Sequence, residues 1–297
     1  MRALVLALLC ACSGAVPTWE QPGLGGAVRP EMGGPQPGTM APDFDLDGTK
    51  LSSLRGSWVV VHFTATWCPY CDSEVAHLGD LAGPTVKVVL VDEKETEAVW
   101  RPYADKHVPK NVIAVRDGDG KAALAYAPPH AQMSFADRSQ VVLDSTLVID
   151  PEGVIRLFLL PDSAHFDPTF KAVHRELDRF VANDVVRVSL STAGNAVIAK
   201  LDIAPGYHLQ SHTPSEPQFI PTRATVSADD VELDEPHYAP GATYANATTV
   251  TVPWKRGAAG THRVAATIAF QACTATRCLF PTQRHIETTL SFRGETP

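Results

Sequence analysis

The sequence predicts two domains, an α/β domain followed by an all-β sandwich. Three observations carry that expectation. The chain of 297 residues is long enough for two cores, with 44% hydrophobic and 20% charged residues, as in ordinary globular proteins. Up to about residue 183 β-type apolar runs alternate with helix-like stretches, and after Asn183 the apolar period falls to two. Glycine and proline crowd residues 13 to 39, which lack an apolar period and read as a flexible tether.

The expected boundaries are 1–12 for an export signal ending at Cys12, 13–39 for the tether, 40–183 for the α/β domain and 184–297 for the sandwich. The α/β domain reads as an opening hairpin, strand 58–63, helix 71–82, strand 86–91, helix 95–106, a loop-rich stretch, strand 146–150, strand 154–160 and a closing helix 167–182. The first strand is the β-branched run Trp58-Val59-Val60-Val61-His62-Phe63. Gly118, Gly120, Pro128 and Pro129 bracket the loop-rich stretch, and Pro151-Glu152-Gly153 turns between the last two strands. Strands alternating with helices call for a sheet covered on both faces. In the second half, Val185 to Leu190, Ala196 to Leu201, Thr249 to Val252 and Arg263 to Ile268 alternate at period two between Gly/Pro turns, the pattern of an antiparallel sandwich.

Composition also limits partners. A net charge of −8 gives no electrostatic reason to expect nucleic acid or an anionic membrane surface. Met1-Arg2 followed by Ala3 to Leu9 is a basic start and an apolar run too short to span a bilayer but suited to a signal-peptide core. Leu9-Cys10-Ala11-Cys12-Ser13 resembles a bacterial lipobox, which implies a lipid anchor on Cys12; Ser13, rather than Asp, favours the periplasmic face of the outer membrane. A plain signal peptide cut near Ala15, an inner-membrane anchor and a soluble periplasmic form stay open.

Setting Cys10 and Cys12 aside leaves four thiols in two close pairs, Cys68/Cys71 and Cys273/Cys278. Cys68-Pro69-Tyr70-Cys71 sits where a strand gives way to a helix-like segment, so its thiols can close a small ring and the helix start favours the thiolate of the first. Cys68 reads as nucleophile and Cys71 as resolver, beside a structural disulfide or half of a zinc site as the plainer alternatives. No second Cys/His pair lies near enough in sequence to complete such a zinc site. Cys273 and Cys278 flank a four-residue hairpin loop, a spacing compatible with a disulfide and, by composition alone, with a structural staple. A metal carrier using Cys273, Cys278 and His285 is a further reading.

The stretch Phe63-Thr64-Ala65-Thr66-Trp67-Cys68-Pro69-Tyr70-Cys71, with Ala41-Pro42-Asp43-Phe44 before it and Leu147-Val148-Ile149-Asp150-Pro151-Glu152-Gly153 after it, resembles the TlpA/ResA-like branch of the thioredoxin superfamily. The resemblance implies a thioredoxin-like fold with Trp67, Pro69 and Tyr70 supporting the cysteines. It also marks two departures. His62 stands where thioredoxins keep a buried acid beneath the resolving cysteine, either as a satisfied core residue or as a proton-transfer group, and Asp144 occupies the place of the usual cis-proline. A peroxiredoxin-like peroxidase is disfavoured, because Ala65 and Val61 stand where that family has Thr and Pro.

Gln271-Ala272-Cys273 with Cys278-Leu279-Phe280-Pro281, together with Pro205-Gly206-Tyr207-His208 and Phe219-Ile220-Pro221-Thr222, resembles the immunoglobulin-like N-terminal domain of DsbD. That resemblance implies a redox-active second pair under an aromatic cap, for which His237, Tyr238 and Tyr244 are the nearest candidates. Both resemblances imply a periplasm-facing thiol:disulfide oxidoreductase, a protein-disulfide reductase or electron relay, that needs no cofactor. Its partners would be disulfide-bearing envelope proteins, a membrane electron donor of DsbD/CcdA type and the membrane itself through the lipid. The rival from another class is a partner-binding lipoprotein with two structural disulfides.

Overall fold

The computed structural model describes residues 34–129, 144–160, 166–257 and 259–292. The export signal, Cys12 and the tether up to Gly33 lie outside the described residues. The chain divides into two compact units, Met1–Gly79 with Val88–Thr169, and Asp80–Lys87 with Phe170–Pro297.

In the first unit a hairpin opens the fold. Leu46 and Leu51 donate back to Thr49 and Phe44 at 2.8 and 2.9 Å, around Asp47 and Gly48 at φ 52° and 98°. An Asp-Gly pair supplies the positive φ that such a tight turn requires. A short 3-10 helix, Leu51–Leu54, leads into β1 (Trp58–Thr64), every residue of which is buried. The chain continues through α1 (Cys71–Val75), α2 (Leu78–Leu81), β2 (Val86–Glu93), α3 (Glu97–His107), β3 (Val112–Asp117), α4 (Lys121–Tyr126), β4 (Ser145–Ile149) and β5 (Ile155–Leu159). The sheet order is β3-β2-β1-β4-β5, with β2 and β3 parallel and β4 antiparallel to both β1 and β5. Phe44, Phe63, Tyr126 and Phe158 form an aromatic centre with ring centroids 5.4 to 6.3 Å apart.

Two details differ from the sequence expectation. The helix read over 71–82 is two short helices, because His77 N donates to Glu74 O in a three-residue turn that closes α1 early. The stretch read as loop-rich holds β3 and α4. β3 pairs only with β2 in the sheet order, so it shows neither a clean alternation nor a long apolar run, and α4 is too short to display a helical period.

The second unit opens with α5 (Lys171–Asp184) and continues through β6 (Val186–Ala193), β7 (Ala196–Ile203), β8 (His208–Gln210), β9 (Arg223–Ala228), β10 (Val231–Leu233), β11 (His237–Tyr238), β12 (Thr243–Ala245), β13 (Ala247–Gly257), β14 (Gly260–Phe270), β15 (Ala272–Cys273) and β16 (Thr282–Phe292). One sheet runs β16-β14-β9-β10-β13-β7-β6 with β11 beside β13, and a small sheet runs β12-β8-β15. Alternation is visible along β14, whose Val264, Ala266, Ile268 and Phe270 are buried between less buried neighbours. The architecture is an α/β thioredoxin-like domain followed by a β-sandwich-like domain.

Candidate active site

Cys68 and Cys71 are joined as a disulfide across the start of α1, with Cα atoms 5.3 Å apart. Cys71 is fully buried and Cys68 is 6% exposed, while the flanking Trp67 and Tyr70 are open to solvent. The backbone N–H of Cys71 points at Cys68 Sγ, 3.3 Å away, and such a donor favours negative charge on that sulfur when the pair is reduced. Tyr70 packs edge-on against Phe166 at 5.6 Å. Pro69 lies exposed between the two cysteines.

Cys273 and Cys278 form the second disulfide at the base of a tight hairpin. Thr274 shapes the hairpin: its N–H donates to Arg277 O at 2.7 Å and its hydroxyl accepts the N–H of Arg277 at 3.2 Å. Cys273 is buried in β15, opposite His208 of β8, and receives Gln210 Nε2 at 3.8 Å. Cys278 is exposed. Of the three cap candidates, Tyr244 is buried in β12, one strand beyond β8 from Cys273, whereas His237 and Tyr238 form β11 beside β13 in the larger sheet.

Residues 37–158 match the AhpC/TSA family. Residues 178–290 match the N-terminal domain of thiol:disulfide interchange protein DsbD. The chain joins an AhpC/TSA-family domain to a DsbD N-terminal domain. Among relatives, a thiol-disulfide oxidoreductase ResA of Bacillus cereus is 30% identical over 92 residues, 28% of this chain and 53% of the relative. ResA of Oceanobacillus iheyensis is 32% identical over 83 residues, 24% of this chain and 43% of the relative. The chain spans about half the length of the curated relatives it matches. Among solved structures, the reduced DsbD N-terminal domain of Neisseria meningitidis aligns at TM-score 0.28 and 17% identity, covering 38% of this chain and 89% of that one. A secreted Mycobacterium tuberculosis disulfide oxidoreductase homologous to E. coli DsbE aligns at TM-score 0.34 and 20% identity, covering 46% and 93%.

Within the AhpC/TSA-family domain, the polar side chains of His62, Glu74 and Asp144 converge on one another. His62 of β1 faces Thr146 of β4 directly across the sheet, Nδ1 to Oγ1 at 3.0 Å. Its Nε2 lies 3.7 Å from Glu74 Oε2 and 4.0 Å from Asp144 Oδ1, separations too long for hydrogen bonds. Burial, reinforced by the charges of Asp144 and Asp167, pushes Glu74 up to about 8. Burial also pushes Asp144 up to about 6 and His62 down to about 3. The consequence is a neutral imidazole between two acids that hold their protons unusually late.

Glu74 was not singled out from the sequence, although the signal was there: it stands three residues after Cys71, on the same face of α1. The ligand atoms of His62, Glu74 and Asp144 lie within 4.8 Å of one another and form the one group among the described residues with donors for a metal ion. A Glu74 that keeps its proton up to about pH 8 fits the group without an ion, since burial disfavours its charge. Cys273, Cys278 and His285 do not gather into such a group among the described residues. His285 instead contacts Thr267 Oγ1 at 3.1 Å and Glu287 Oε1 at 3.3 Å on the outer face of β14 and β16, which removes the geometric basis of the metal-carrier reading.

At the DsbD-type domain, Arg277 of the cysteine hairpin reaches α5 of the same unit, with Nη2 3.3 Å from Asp178 Oδ1 and Nη1 3.1 Å from His174 Nδ1. Those contacts fix the residue next to the exposed sulfur of Cys278.

Proposed function

We propose that this chain is a thiol:disulfide oxidoreductase of an extracytoplasmic compartment, acting as a protein-disulfide reductase or electron relay. The observation that carries the reading is the first pair: a disulfide at a strand-to-helix turn, with one sulfur at the surface rim, the other wholly inside, and a backbone N–H aimed at the outer sulfur. The thiolate of Cys68 attacks a substrate disulfide, forms a mixed disulfide and expels one substrate thiolate. Cys71 then attacks Cys68 Sγ, releases the second substrate thiol and leaves the pair oxidised, two electrons having passed to the substrate.

Cys71 must lose a proton to attack, and it lies inside the protein. Glu74 is the acceptor in this scheme, because an acid poised near 8 exchanges protons at working pH better than one at its ordinary value. His62, neutral above about pH 3, acts as the polar contact that Glu74 and Asp144 share. In the second pair Cys278 meets the partner and Cys273 resolves. The partners are disulfide-bearing envelope proteins and a membrane electron donor of DsbD/CcdA type that returns the dithiols. No helix among the described residues is long and apolar enough to cross a membrane, and attachment is assigned to a lipid on Cys12.

The roles are checked by alkylating fully reduced protein at pH 7 and reading each cysteine by peptide mass spectrometry. Cys68 should be modified before Cys71, and Cys278 before Cys273; faster labelling of Cys71 would reverse the assignment. His62→Asn should keep the fold, since the amide can still meet Thr146, and should slow exchange less than removal of the Glu74 carboxyl does. An unchanged exchange rate in folded His62→Asn would return His62 to a purely structural part.

A further inference from the structure

We propose that Glu95 and Tyr103 are positioning residues that tether both ends of the Cys68–Cys71 loop to a single segment, the one joining β2 to α3 and running into that helix, and thereby set the thiol–disulfide equilibrium of the pair. Upstream of the cysteines, the Glu95 carboxylate accepts two bonds from one residue: Thr66 N to Oε2 at 2.9 Å and Thr66 Oγ1 to Oε1 at 2.7 Å. Downstream, Tyr103 donates its hydroxyl to Asp72 Oδ1 at 2.7 Å. The residues between these anchors are Trp67 to Cys71, which is the reactive loop and nothing else.

The anchoring segment is itself held. Lys94 N donates to Asp117 O at 2.9 Å, and Arg116 Nη1 donates to Glu95 O at 3.0 Å, which ties the turn after β2 to the end of β3. Arg116 and Arg101 both bind Glu97 at the start of α3, at 3.2 and 2.9 Å. Tyr103 stacks on the buried Trp100 at 5.9 Å and on His107 at 4.7 Å, so its ring is fixed from two sides. Asp92 lies fully buried at the end of β2. Burial and the neighbouring Glu95 hold it in the neutral form up to about pH 9. With its proton retained, Asp92 adds no like charge of its own beside the Glu95 carboxylate.

The physical consequence concerns ring closure. How readily two thiols form a disulfide depends on the effective concentration of one at the other, and that falls as the ends of the intervening loop gain freedom. In the disulfide the Cα atoms of Cys68 and Cys71 are 5.3 Å apart, and tethers at Thr66 and Asp72 restrict how far the dithiol can open from that separation. Releasing a tether gives the dithiol more conformations than the disulfide and shifts the balance towards the dithiol. The inference rests on the oxidoreductase reading only in requiring that the pair exchange.

The test equilibrates the full-length protein with glutathione buffers, in which the protein disulfide and two glutathione thiols give the dithiol and one glutathione disulfide. Differential alkylation with peptide mass spectrometry then reads Cys68/Cys71 and Cys273/Cys278 separately. Glu95→Ala and Tyr103→Phe are each expected to move the first equilibrium towards the dithiol by about fivefold to tenfold, tenfold being about 30 mV for this two-electron couple. Glu95→Gln should stay within about twofold of the parent, because its amide oxygen can accept the Thr66 N–H while its NH2 donates to the Thr66 hydroxyl. The Cys273/Cys278 equilibrium should not move in any variant. Lowered thermal stability with an unchanged Cys68/Cys71 equilibrium would make both residues merely structural and overturn the proposal. A Glu95→Gln shift as large as that of Glu95→Ala would assign the effect to charge and overturn the tether as well. Failure of the parent pair to exchange with glutathione at all would sink the oxidoreductase reading, and the proposal with it; that outcome is told apart from the others because it occurs without any substitution.

Discussion

Replacing Cys68 by Ala is expected to remove disulfide exchange at the first pair, by on the order of 10^3-fold or more, because the remaining Cys71 thiol is fully buried and cannot reach a protein substrate. Cys71→Ala should behave differently. It leaves the attacking sulfur in place but removes the group that completes the reaction, so substrate should accumulate as a mixed disulfide on Cys68 and turnover should stop after one event. Mass spectrometry of each variant mixed with a disulfide-bearing protein distinguishes them: an adduct on Cys71→Ala and none at this pair on Cys68→Ala. An adduct on Cys71 in the Cys68→Ala protein would contradict the division of roles.

The second large effect is expected from Glu74→Gln. The side chain is isosteric and buried, so the variant should fold, yet it has no carboxylate to receive the proton of Cys71. Exchange at pH 8 should slow by on the order of 10^2-fold, and the rise in rate as Glu74 ionises near pH 8 should vanish. Stability gives an independent reading. The folded-state value of about 8 lies above the ordinary 4.5, so the folded chain holds this proton more tightly than the unfolded chain does. Its contribution is complete below about pH 4.5 and is lost as pH rises through 8.

His62 runs the other way, with a folded value of about 3 against 6.5, so its contribution is complete above 6.5 and lost as pH falls through 3. Between pH 6.5 and 8 Glu74 therefore contributes to a decline, as does Asp92, whose folded value of about 9 has the same sign. Asp92 is common to both proteins. Urea unfolding at pH 6.5, 7.5 and 8.5 should consequently show a shallower decline in Glu74→Gln than in the parent. Parallel pH profiles for rate and for stability would leave Glu74 without a part in the chemistry.

What could be read in advance was what is local in the chain. β1 announces itself as a β-branched run, the Cys68–Cys71 motif follows at fixed spacing, and the alternation along β14 marks a half-buried strand. The small sheet that carries Cys273 was not visible, because β8, β12 and β15 are two or three residues long and too short to show a period. Spacing along one helix could have exposed Glu74. Nothing local could have exposed Glu95 or Tyr103, whose partners Thr66 and Asp72 lie 29 and 31 residues away in sequence. Asp144 illustrates a middle case: its place in the cis-proline slot follows from the family resemblance, while its approach to His62 and its raised pKa belong to the folded packing.

The central claim is that both cysteine pairs are exchangeable rather than structural. Redox titration of the intact protein in dithiothreitol and glutathione buffers, with each pair read separately by alkylation and peptide mass spectrometry, tests it most directly. The account predicts potentials above about −300 mV for both pairs, with the Cys-Pro-Tyr-Cys pair near the roughly −200 to −230 mV of glutaredoxins. A potential well below about −300 mV at either pair would mark that pair as a structural staple and contradict the account.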